Sequence, residues 1–228
     1  MINPPLHGIR ACVFDAYGTL FDVASAASRC RDALGVKLDR LNSLWRDKQL
    51  QYSWLRELQG ARVDFWQITG DALDFALDSL DIKDAGLRDR LMSLYLELEL
   101  FPDVRETLNR LMTSGYRTAI LSNGSPSMLR ALVDHNGIGH LLDDVFSVED
   151  AGVYKPHPKT YGLAIERLGV DRHSILFLSA NAWDAHAASA FGMRVAWCNR
   201  IGQCRERLPG GPDFEVRSLA EVHGIIGA

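Results

Sequence analysis

The chain has 228 residues, 47% of them hydrophobic and 24% charged, the proportions of an ordinary globular protein with one large domain or a core carrying an insertion. A net charge of −4 provides no basic surface, so neither nucleic acid nor an anionic membrane is an expected partner. Residues 1–8 lack the pattern of a signal peptide, and no run reaches the length of a membrane span.

The four cysteines (Cys12, Cys30, Cys198, Cys204) form no CxxC, and the seven histidines do not cluster at metal spacing. Reduced thiols in a cytoplasmic protein that holds neither metal nor cofactor are therefore expected.

In chain order, the first apolar run is Ile9 to Phe14, short and β-favouring, ending in Asp15 and the tight-turn residues Tyr17-Gly18-Thr19. From about Ala24 to Leu100 the pattern is helical almost throughout, with Leu41, Leu44, Leu55 and Leu58 read as one stripe that forms the insertion's own core. Further strand-like runs follow at Arg117 to Leu121, Asp144 to Val148, Ile175 to Leu178 and Val195 to Trp197. Helical patterns separate them at Pro126 to His135, Pro158 to Leu168 and Ala182 to Phe191.

Strand, loop and helix in alternation predict a three-layer, Rossmann-like α/β core with a parallel sheet. The expected division is a core of residues 1–20 and 99–228 with an α-helical cap subdomain of residues 21–98. In open parallel sheets ligands bind beyond the carboxyl ends of the strands. Here those ends carry Asp15, Ser122 with Asn123, Lys155 (in the loop after the third strand), and Ser179 with Asp184. One such residue is readily a helix or turn cap, but four converging ends point to a site.

The segments Asp15-Ala16-Tyr17-Gly18-Thr19, Leu121-Ser122-Asn123-Gly124, Tyr154-Lys155-Pro156 and Ser179-Ala180-Asn181-Ala182-Trp183-Asp184 resemble the four motifs of the haloacid dehalogenase superfamily. Leu44-Trp45-Arg46, with Gln49 to Trp54, is similar to its L-2-haloacid dehalogenase branch. Phosphatases of that superfamily carry a second acid two positions after the nucleophile, where this chain has Tyr17. They commonly carry an acid where it has Ser179, to help hold Mg²⁺. An alkoxide needs a general acid to leave, whereas a halide does not. Both departures favour carbon–halogen chemistry.

The resemblance implies that Asp15 attacks the halogen-bearing carbon of a small halogenated carboxylic acid. An unperturbed aspartate is ionised at neutral pH, and a nearby ammonium from Lys155 favours that form. Thr19 and Ser179 are expected to orient Asp15 by hydrogen bonds, with Asn181 in the same network. Asp184 is either the base that activates water or a structural partner of Lys155. Ser122 and the N–H groups around Ala16 and Tyr17 would take the substrate carboxylate.

Arg46, Asn123 and Trp183 would cradle the halide against Leu50, Tyr17 and Phe65, and Tyr161 would support Lys155. Arg46 is read on the helix side opposite the leucine stripe. A homodimer formed through the insertion would also resemble the family. The alternatives are a Mg²⁺-dependent phosphatase or phosphonatase of the same fold, and a member without halogen activity or without catalysis.

Overall fold

The computed structural model describes residues 6–227, so the part of the N-terminal reading that rests on residues 1–5 lies outside the described residues. Six strands form one sheet, all pairs parallel, in the order β3-β2-β1-β4-β5-β6. They are β1 (Ala11–Phe14), β2 (Arg117–Ser122), β3 (Asp144–Ser147), β4 (Ile175–Ser179), β5 (Arg194–Cys198) and β6 (Phe214–Val216). The last was not foreseen, because three residues between loops carry no periodicity.

Two short helices, α1 (Ser25–Ser28) and α2 (Arg31–Leu34), lead into α3 (Leu38–Leu58), α4 (Phe65–Ser79) and α5 (Ala85–Tyr95). The core helices are α6 (Val104–Thr113), α7 (Pro126–Asn136), α8 (Pro158–Leu168), α9 (Ala182–Phe191) and α10 (Val222–Ile226). Local chemistry sets several boundaries. Ser125 caps α7 and His157 caps α8, each followed by Pro at the first helical position, where no N–H is missed. Asp64 and Asp84 cap α4 and α5 through the N–H groups of Gln67 and Leu87.

β1 is buried along its whole length in the middle of the sheet, which is why it reads as an unbroken apolar run. The helical insertion leaves and rejoins the core through two adjacent strands of chain. Phe101 N–H donates to the Leu20 carbonyl at 3.0 Å, and Asp22 N–H to the Glu99 carbonyl at 2.8 Å.

The expected leucine stripe on α3 needs correction. The buried positions are Leu38, Leu41, Trp45, Gln49 and Ser53, whereas Leu44 is half-buried, Leu55 is 45% exposed and Leu58 84% exposed. From Leu41 onward burial advances in steps of four residues, and each step turns the face by about 40° on a 3.6-residue helix. By the C-terminal end the face has rotated away from Leu55 and Leu58. Polar Gln49 and Ser53 can occupy it because their side chains are satisfied. Gln49 Nε2 donates to Thr69 Oγ1 at 2.7 Å, and Ser53 Oγ to the Leu50 carbonyl at 2.7 Å. Arg46 therefore flanks the buried face instead of opposing it.

Candidate active site

β1 delivers Asp15 at its carboxyl end, and the chain then turns tightly. The Ala16 carbonyl accepts from the N–H groups of Thr19 (3.2 Å), Leu20 (2.9 Å) and Phe21 (3.0 Å). Gly18, at φ +86°, takes the left-handed conformation that this turn requires. The N–H groups of Ala16 and Tyr17 are left without a protein acceptor among the described residues.

The Asp15 carboxylate is held on both oxygens. Oδ1 accepts from Lys155 Nζ at 3.1 Å, and Oδ2 from Asn181 Nδ2 at 2.7 Å and Thr19 Oγ1 at 3.1 Å. Lys155 Nζ also donates to Asp184 Oδ2 at 2.9 Å, and Tyr161 Oη to Asp184 Oδ1 at 2.7 Å. Lys155 is 1% exposed and Asp184 is fully enclosed. Burial works to lower the Lys155 ammonium, but Asp15 and Asp184 outweigh it and the net shift is upward. Asp184 sits above the ordinary carboxylate range, because burial outweighs the opposing pull of Lys155.

Two sequence expectations shift here. Ser179 Oγ accepts from Asn181 N–H at 3.1 Å and makes no bond to Asp15, so it reaches Asp15 only through Asn181. Tyr161 reaches Lys155 only through Asp184, and it lies behind the pocket instead of lining it. Thr19 is fixed in turn by the Ala180 N–H, which donates to its Oγ1 at 2.8 Å.

Above Asp15 lies a small pocket lined by Tyr17, Ser122, Asn123 and Asn181 from the core loops, with Lys155 and Trp183 beside them. Arg46, Leu50 and Phe65 close it from the insertion. Arg46 donates to Gln49 Oε1 at 2.7 Å within its own helix. Across the cleft it donates to Asn181 Oδ1 at 3.2 Å and the Tyr17 carbonyl at 3.4 Å. Ser122 Oγ accepts from Gly124 N–H, and Asn123 Oδ1 accepts from Lys155 N–H at 3.0 Å.

Tyr17 stacks on Tyr95 of α5 at 5.5 Å, and burial pushes its phenol well above the ordinary value. Gly124 is forced by this ring, since a Cβ there would meet it at 2.9 Å. The Tyr17 hydroxyl and the Trp183 indole N–H are buried without a partner, donors available to an anion in the pocket.

Tyr95 and Arg200 escaped the sequence reading. Tyr95 looks like any helix-packing aromatic in sequence, and only the fold puts it on Tyr17. Arg200 pairs with Asp103 at 2.9 and 3.0 Å and donates to the Thr19 carbonyl at 3.0 Å, bracing the turn that follows Asp15. Its only sequence signal was its place just beyond a strand end.

In the phosphatases that the four motifs resemble, carboxylates at the strand ends help hold Mg²⁺, and the donor set around Asp15 and Asp184 does not fit that ion, with no group of three or more His, Cys, Asp or Glu side chains placed to hold a metal among the described residues. Each oxygen of both carboxylates already accepts from an N–H or O–H, and the Lys155 ammonium bridges the pair. Ser179 adds a hydroxyl where a carboxylate would be wanted.

A parallel α/β sheet ending in a buried Asp–Lys–Asp network beneath a helical insertion defines a class of hydrolases that use a strand-end carboxylate. A model of the haloacid dehalogenase-like hydrolases matches residues 9–192, and the chain belongs to that family. It is 46% identical over 219 residues to (S)-2-haloacid dehalogenase 4A of Burkholderia cepacia, across 96% of this chain and 95% of that one. A solved dehalogenase structure superposes with a TM-score of 0.95 at 44% identity, over 98% of this chain and 99% of the other. The L-2-haloacid dehalogenase of Xanthobacter autotrophicus, solved with chloropropionic acid covalently bound, superposes with a TM-score of 0.90 at 36% identity, over 96% and 99%.

Proposed function

We propose that this protein is an (S)-2-haloacid dehalogenase, hydrolysing L-2-haloalkanoic acids to (R)-2-hydroxy acids and halide without a metal ion. The observation that carries this reading is the Asp15 carboxylate, held on both oxygens beneath a pocket whose nearest phenol, Tyr17, keeps its proton. Such a site offers a nucleophile and no acid poised for the first leaving group, which suits a halide, since it needs no protonation.

In the first step an Asp15 oxygen attacks C2 from the face opposite the halogen. The carbon–halogen bond breaks with its electron pair, and an aspartyl ester forms with inversion. Arg46, Asn123 and Trp183 receive the halide, while Ser122 and the free N–H groups of Ala16 and Tyr17 take the substrate carboxylate. In the second step water attacks the Asp15 carbonyl carbon while Asp184 accepts one of its protons; Asp184 returns that proton to the departing alkoxide oxygen, the hydroxy acid leaves, and Asp15 is regenerated as a carboxylate by losing its remaining proton to solvent. Lys155 offsets the charge of both carboxylates throughout, and with Arg46 it balances them before the anionic substrate enters.

Residues 21–98 act as the cap, with residues 1–20 and 99–228 as the catalytic core. The described cysteines are all unpaired, which suits a cytoplasmic setting. No helix among the described residues is long and apolar enough to cross a membrane. Val36 and Leu55, exposed on the insertion, are apolar surface for a homodimer of the kind that the resemblance implies.

A single turnover in ¹⁸O-water tests the ester route. Label is expected in the Asp15 carboxylate with little in the product, and label passing directly into the product would exclude it. The competing Mg²⁺-dependent phosphatase predicts p-nitrophenyl phosphate hydrolysis that EDTA abolishes. The dehalogenase predicts halide release from (S)-2-chloropropionate that EDTA leaves unchanged.

A further inference from the structure

The pocket over Asp15 has a free volume of about 10 Å³, room for roughly one water. Beside it, between α3 of the insertion and α9 of the core, runs a groove of about 810 Å³. Trp54 and Leu58 form its wall on α3, and Ala187, Ala190 and Phe191 form it on α9. Lys155 and Trp183 belong to the linings of both spaces, so the groove and the pocket share a partition.

That partition is an edge-to-face contact of Trp183 on Trp54, with centroids 5.3 Å apart at 82°. Both indole N–H groups are buried without a hydrogen-bond partner, so no directional bond fixes either ring. A ring contact between insertion and core, held by packing alone, can part at lower cost than the hydrogen-bonded Arg46 contact across the same cleft.

We propose that Trp54 and Trp183 gate the catalytic pocket and that the groove behind them is a subsite for an extended alkyl tail on C2 of the acid. This rests on the dehalogenase reading above. The polar ends of such a substrate find their partners in the pocket, around Arg46, Ser122 and Asn123. A tail too large for that enclosed space has an apolar route past Trp183. Because Lys155 and Trp183 line both spaces, a tail that leaves the pocket past Trp183 enters this groove, which makes the tail of the reacting acid the occupant in preference to a separate ligand or another protein.

The test measures kcat/KM for halide release from (S)-2-bromopropionate and (S)-2-bromooctanoate, which share a leaving group and differ in tail length. It compares the wild-type protein, Ala187→Phe to fill the groove, and Leu58→Asp to place a charge in it at an exposed position. The wild-type value is expected to rise with tail length, by up to about fourfold per buried methylene. Both variants should lose about tenfold or more on bromooctanoate and keep bromopropionate turnover within about twofold, which also certifies their folding.

Turnover of bromopropionate without bromooctanoate would overturn the groove subsite while leaving the dehalogenase reading intact. So would variants that lower both substrates equally. Turnover of neither substrate by the wild type would overturn the dehalogenase reading and the subsite with it.

Discussion

The core and the insertion contribute to the site in different ways. In the core, Asp15, Lys155, Asp184, Thr19, Asn181 and Tyr161 hold one another through a continuous chain of hydrogen bonds. The insertion adds one cation, Arg46, steadied by Gln49 on its own helix and reaching the core through two longer contacts. The position of Asp15 is thus built into the rigid sheet, whereas Arg46 arrives on a separate layer.

The largest expected effect tests the core side. Asp15→Asn should reduce halide release at least about 10⁴-fold and also lower stability by about 1–3 kcal/mol, because the amide loses the nucleophile and turns an N–H toward donors on whichever side it faces. Lys155→Met should abolish activity and also destabilise the fold by roughly 3–5 kcal/mol in urea unfolding, since two buried carboxylates lose their shared cation. If Lys155→Met proved as stable as wild type, the core network would not be the rigid half of the comparison.

The insertion side should respond differently. Arg46→Lys should cut kcat/KM by about 10²-fold with little change in unfolding midpoint, since a point charge replaces a fork that spans Gln49, Asn181 and the Tyr17 carbonyl. Tyr161→Phe removes one donor from Asp184 at a cost of about 1–3 kcal/mol of stability. It should also move the acid limb of the pH–rate profile upward, because that hydrogen bond favours the ionised carboxylate.

The smallest effect needs no mutation. Asp184 lies above the ordinary carboxylate range, and the second step needs it ionised, so kcat should fall on the acid side at a pH above that range. Lys155 is shifted upward, so the alkaline limb should not appear until beyond the ordinary lysine range. A halide-release profile flat down to the ordinary aspartate range would remove Asp184 from the role of base.

The parallel core was legible because buried central strands are continuous apolar runs and each ends in a polar residue at a loop. The helices from Pro126 and Pro158 were legible because caps and periodicity agree there, and the one from Ala182 because it is alanine-rich, although no side chain caps it. The α3 face was misread because Leu55 and Leu58 look like core until the drift of burial along a long helix is known. Ser179 was credited with a direct bond to Asp15, since sequence gives adjacency in the motif and not which oxygen meets which donor. Tyr95 carries no sequence signal and Arg200 only its place beyond a strand end, because both lie far along the chain from the groups they touch.

By itself the sequence determined five of the six strands, the helical insertion and the residue types at those strand ends, since apolar periodicity and turn chemistry are local properties. Only the tertiary structure decided which groups share charge. Lys155 lies between Asp15 and Asp184, Tyr161 stands behind Asp184, and Arg46 crosses from the insertion to the Tyr17 carbonyl. Hydrogen bonds and ion pairs act over a few ångströms, and these partners are brought within that range by sheet order and the closure of two layers, which no local pattern encodes.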